Sequence, residues 1–146
     1  MITQPNRGNR LICSLPYDDA PAAIQWLEEA FGFTAHMVIQ GEDGKVMHSQ
    51  LKSPDGDSMV MVYSTREDEQ IGSQRPPVKL GGSSGSLYMV EDDVDQHHAR
   101  AVAAGAKILM PPTAQEYGGS CYTCTDPEGH IWSFGSYDPW APAPAE

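Results

Sequence analysis

Asp126-Pro127-Glu128-Gly129-His130-Ile131-Trp132 decides the fold, because part of it occurs twice: Pro54-Asp55-Gly56-Asp57 stands 73 residues before Pro127-Glu128-Gly129-His130. The same spacing lays Ala30-Phe31-Gly32 on Ala103-Ala104-Gly105, and a one-residue slip sets Asp18-Asp19 over Asp92-Asp93. The chain therefore reads as two copies of one module. Two copies are too few for a solenoid, so two half-cores joined into one fold are expected, with a ligand expected where the halves meet.

Working outward, residues 10–17 form a short apolar run closed by Pro16 and the Asp18-Asp19 pair, which reads as a strand followed by a helix start. Asp19 can accept from the first free amides of a helix and Pro21 fits its first turn. Ala20, Ala23, Ile24, Leu27 and Phe31 then recur at helical spacing, with Gly32 as the stop. Three strands follow at residues 33–40, 45–52 and 57–63, separated by the turns Gly41-Glu42-Asp43-Gly44 and Pro54-Asp55-Gly56. The second copy repeats the order, with a strand at 86–90, a helix at 93–104 and strands at 107–110, 121–125 and 129–135. The expected organisation is an α+β protein of two tandem βαβββ modules, residues 10–63 and 86–137, whose curved mixed sheets enclose a cup-shaped groove. Residues 64–85, polar and rich in Gly, Ser and Pro, read as a linker, and 138–146 as a flexible tail.

Composition narrows the partners. Twenty acidic against nine basic residues give a formal net charge of −11, which repels a phosphate backbone, so no nucleic-acid partner is expected. No apolar run is long enough to cross a bilayer, and the opening Met1-Ile2-Thr3-Gln4-Pro5-Asn6-Arg7 has no apolar export core, so no membrane partner and a cytoplasmic location are expected. Cys121 and Cys124 lie on opposite faces of one strand, which argues against a redox pair or a zinc clip.

The run from Asp18 to Ile24, the pair Asp92-Asp93, and the stretch from Asp126 to Trp132 resemble the vicinal oxygen chelate superfamily, closest to its glyoxalase/bleomycin-resistance (PhnB-like) branch. The resemblance covers residues 10–137. It implies the paired-module fold and a choice between metal-dependent enzymes and metal-free binding proteins. Metal-dependent members carry side-chain ligands on the first and last strands of a module. Here those positions fall on Ile12, Ser86, Ser133 and, by the repeat, Val60. None supplies a His or a carboxylate.

Period-two alternation sorts the remaining candidates. If Ser133 faces the cup, then His130, Trp132 and Phe134 face the helix, with His130 closing the turn and Met59 and Met61 sharing the phase of Trp132. Cys121 and Thr123 then face the cup, and the repeat puts His48 and Gln50 at the same level. Ser14, Ser86 and Tyr88 share that face, with Tyr117 at the rim. His48 has three open roles: ligand contact, hydrogen-bonded structural residue, or base. On the second helix, Val94, His98 and Ala101 form the packing face and His97 is solvated.

The expected function is metal-free, cofactor-free binding of a small molecule by His48, Gln50, Ser14, Ser86, Tyr88, Tyr117, Thr123 and Ser133, as in bleomycin-binding relatives. The excess negative charge, with no Arg or Lys at these positions, favours a cationic aromatic ligand. The alternative is a glyoxalase-like lyase holding a metal in an unusual way, for instance through His48 with Glu116 or Glu128. The open edges of curved sheets lead to the expectation of a homodimer.

Overall fold

An amphipathic helix becomes stable by burying its stripe, and each of the two four-stranded sheets receives one helix across one face. The computed structural model describes residues 8–68 and 72–142. The chain splits into two compact units, divided after Gly82.

The first unit runs β1 (Cys13–Tyr17), α1 (Ala20–Phe31), β2 (Thr34–Gln40), β3 (Val46–Lys52) and β4 (Met59–Ser64). Its sheet has the order β1-β4-β3-β2, with β1 parallel to β4 and the other neighbours antiparallel. Helix α1 starts where Asp19 accepts from the Ala22 amide at 3.1 Å, and stops at Gly32, whose φ of 76° is left-handed. Ala23, Leu27 and Phe31 are buried against the sheet. Burial of a side chain the size of Leu27 stabilises by about 2 kcal/mol.

The second unit runs β7 (Ser86–Val90), α3 (Val94–Ala103), β8 (Lys107–Ala114), β9 (Ser120–Thr125) and β10 (Ile131–Gly135), in the sheet order β7-β10-β9-β8. Asp93 caps α3 by accepting from Gln96 N at 3.1 Å. Tyr122, Cys124, Trp132 and Phe134 fill the space between α3 and the sheet. Both sheets are four-stranded and mixed, and neither closes into a barrel.

Residues 64–85, read as a linker from their polar composition, are more ordered than that reading allows. Ser64 ends β4, and a hairpin of β5 (Arg66–Asp68) and β6 (Gly72–Gln74) is followed by one helical turn, α2 (Pro77–Leu80). The tail begins with a turn, in which Asp138 accepts from the Trp140 and Ala141 amides, each at 2.9 Å. Residues 1–7 and 143–146 of the sequence readings lie outside the described residues.

Two readings of strand phase are corrected. In β4 it is Val60 and Val62 that are buried, while Met59 and Met61 are half-exposed. Met61, not Val60, is therefore the counterpart of Ser133, and Met59 and Met61 do not share the phase of Trp132. The cause is one extra residue in the first turn. Ser53 N bonds to Ser58 O at 2.9 Å, whereas Asp126 N bonds to His130 O at 3.0 Å, so the repeat spacing slips by one and every following side chain changes face. Strand β8 also continues past Met110 through Pro111 and Pro112 to Ala114. As an edge strand it can turn its missing amides away from the ladder.

Candidate functional site

Each sheet covers one face with its helix and leaves the other open, and the open faces hold the candidates. In β3, Ser49 and Leu51 are wholly buried, and the Ser49 hydroxyl donates to Val62 O at 2.7 Å. The intervening His48 and Gln50 therefore lie on the open face, where His48 Nε2 meets Gln50 Oε1 at 3.0 Å. A register shift, pairing Ile39 with His48 but Gln40 with Val46, turns Val46 inward and leaves Met47 54% exposed. Ser14 of β1 pairs with Met61 of β4, on the same face.

Beyond Met61 the open face ends in Tyr63, and here the segment taken as a linker contributes side chains. The Arg66 guanidinium lies over the Tyr63 ring, 4.5 Å from its centroid, and donates to Met47 O at 3.1 Å. Gln74 accepts from the Tyr63 hydroxyl. Burial raises the Tyr63 pKa, and Arg66 opposes that rise. A depression of about 550 Å³ opens beside this cover, lined by residues 45–47 and 64–67. A basic group thus stands next to a face expected to have none. Only the hairpin fold reveals it, because Arg66 is three residues beyond Tyr63 in an apparently structureless stretch.

On the second unit's open face, Thr123 Oγ1 and Ser133 Oγ are hydrogen-bonded at 2.7 Å. Ser86, opposite Ile131, begins β7. Tyr88 donates its hydroxyl to Tyr137 O at 2.7 Å, and Tyr117 meets Tyr137 edge-to-face at 4.8 Å. These rings and Pro139 line a shallow depression of about 280 Å³. Tyr137 was not among the sequence candidates, because it lies past the last strand, where alternation no longer assigns a face.

The displaced ionisations lie mostly on the helix side. His97, expected in solvent, instead packs on Phe134 at a ring distance of 4.0 Å and bonds the Tyr122 hydroxyl through Nδ1. Burial, with Arg100 adding, lowers its pKa to about 4. Positions 94, 97, 98 and 101 form one helical stripe, so both histidines pack and His98 meets Tyr122 edge-on at 5.2 Å. Burial pushes the Cys124 thiol up to about 12, with Asp126 adding to the rise, and also raises Cys13 and Cys121. A nucleophilic thiol needs the opposite shift.

The metal-ligand positions, with Met61 in place of Val60, are Ile12, Ser86, Ser133 and Met61. Among the described residues no three His, Cys, Asp or Glu side chains converge to hold a metal ion. This donor set does not fit a divalent cation.

Two βαβββ units, each with one open sheet face, define a protein of the vicinal oxygen chelate type. Residues 11–134 match the Glyoxalase/Bleomycin resistance protein/Dioxygenase superfamily, and the chain belongs to that family. An uncharacterized protein of Mycobacterium bovis is 31% identical over 121 residues, covering 83% of this chain and 78% of the relative. The crystal structure of TioX from a Micromonospora species is similar at 31% identity with a TM-score of 0.66, covering 88% of this chain and 98% of that one. TnmS3, an antibiotic-binding protein from a Streptomyces species, shares the fold at 19% identity and a TM-score of 0.62, covering 92% of this chain and 98% of its own. Among the described residues no helix is long and apolar enough to cross a membrane.

Proposed function

We propose that this chain is a cytoplasmic, homodimeric small-molecule-binding protein that sequesters a planar aromatic ligand, antibiotic-like in character, without a metal ion and without turnover. The observation that carries this reading is the chemistry of the open faces. Two pairs of polar side chains there bond to each other, His48 with Gln50 and Thr123 with Ser133, and neither pair contains a carboxylate. Such pairs can exchange one partner for a ligand group at little cost, because the group left behind finds a new bond. The three thiols are all displaced away from thiolate. The likeness to an antibiotic-binding protein supports the same reading.

The test begins with protein purified without added metal or chelator. Elemental analysis should find no stoichiometric zinc, nickel, manganese or iron. A near-equimolar metal, lost on chelation together with a catalytic activity, would sink the proposal and bring forward a lyase. In parallel, a panel of planar aromatic compounds should yield a binder whose affinity falls by about 1–3 kcal/mol in His48→Ala, with the fold stability little changed.

A further inference from the structure

We propose that the corner formed by Tyr88, Tyr117 and Tyr137 seats the positively charged, ammonium-type group of the ligand; this rests on the small-molecule-binding reading and names the chemistry of one part of that ligand. The corner is built for ring faces rather than filled by chance. At Gly135 a Cβ would come within 2.4 Å of the Tyr88 hydroxyl and 3.1 Å of its ring, so only glycine lets that ring lie against the end of β10. The Tyr88 hydroxyl is tied to Tyr137 O at 2.7 Å. Gly118 and Gly119, with φ of 117° and 67°, make the turn that returns the chain after Tyr117. A Cβ on Gly119 would meet Ser136 Oγ at 2.5 Å and Tyr137 N at 3.0 Å, so this glycine allows the close approach that brings Tyr117 and Tyr137 together.

The rings stay accessible despite this bracing, with Tyr88 39% and Tyr117 56% exposed. Tyrosine faces carry negative quadrupole potential and attract a cation within about 6 Å of the centroid. No charged side chain lines the depression, and the acidic Asp138 falls between Tyr137 and the lining Pro139. Asp138 is close enough to act electrostatically on Tyr88, whose pKa is raised chiefly by burial. A volume of about 280 Å³ is small for a whole ligand of drug size, so it takes one substituent, and a trialkylammonium or protonated amine matches both size and sign. Arg66, the basic group over the Tyr63 ring, belongs to the first unit.

Choline and 3,3-dimethylbutanol have nearly the same shape and differ in charge, so they separate cation recognition from simple apolar filling. Titration of each, followed through the tyrosine ring-proton shifts, should show choline binding at least about 3-fold more tightly. Tyr117→Leu should abolish that preference and Tyr117→Phe should keep it. Equal affinity for the two probes, no binding of either, or a preference that survives Tyr117→Leu overturns the inference. The binding-protein reading is judged separately: a planar compound that binds with His48 dependence and no preference for charge overturns the cation seat alone, whereas bound metal with turnover overturns the broader reading.

Discussion

His97 shows how one side chain can be assigned to the wrong surface by its polarity. Its position on α3, three residues after Val94 and four before Ala101, places it over the sheet, and ring contacts with Phe134 and Tyr122 hold it there. Its pKa of about 4 lies below the ordinary 6.5, so the unfolded chain binds the proton first. Stability therefore falls as pH drops from about 6.5 to about 4 and loses nothing more from this group below that range. With partial exposure screening the effect, the loss should be about 1–2 kcal/mol. Urea unfolding at neutral pH and near pH 4.5 measures it, and His97→Gln should show a smaller difference between the two pH values than the parent. An equal difference would place the acid sensitivity on the carboxylates alone.

At the scale of elements, the two repeated turns do the same job with different chemistry. In the second, the 4%-exposed Asp126 accepts from Glu128 N at 3.0 Å, His130 N at 3.1 Å and Trp132 Nε1 at 3.1 Å. One carboxylate thus ties the turn to the core tryptophan. In the first, Ser53 Oγ accepts from Ser58 N at 3.0 Å and leaves the loop one residue longer. Asp126→Ala should cost about 3–5 kcal/mol, since it strands several buried donors, and Ser53→Ala about 1 kcal/mol. Similar costs for both would refute the division of labour. The turns were legible in sequence as Pro-Asp-Gly and Pro-Glu-Gly, but the extra residue was not, because a shared tripeptide aligns two loops without showing where each hydrogen-bonds shut.

For the whole molecule, the edges of the sheets bear on assembly. Edge strand β2 exposes Met37 and Ile39 at 44% and 49% and contains no proline, whereas edge strand β8 carries Pro111 and Pro112. Prolines blunt an edge; an apolar edge without them invites another copy. Light scattering at micromolar concentration should therefore give about twice the 15.9 kDa chain mass. The double substitution Val38→Lys and Ile39→Lys should move the protein towards 15.9 kDa, and a parent that is already monomeric would remove the dimer from the proposed function. The net charge of −11 acts over the same scale, but it is screened within about 8 Å at physiological salt, so it favours cations near the surface without selecting where they bind.

The sequence by itself determined the duplicated βαβββ order, the helix limits and the family. Those features are written in local spacing: helical stripes between Asp19 and Gly32, alternation in β9 and β10, and turn tripeptides repeated at one offset. It also placed residues other than His and carboxylates at the positions where the family's metal-dependent members carry ligands, and exchanging Val60 for Met61 leaves that unchanged. Tertiary structure decided which face each β4 residue takes, that Arg66 covers Tyr63, that His97 packs, and that Tyr137 joins Tyr88 and Tyr117. Each of these depends on a loop closure or on contacts between residues far apart in the chain. A single residue added to a turn, or a hairpin formed in a polar segment, changes them while leaving the local pattern of every strand intact.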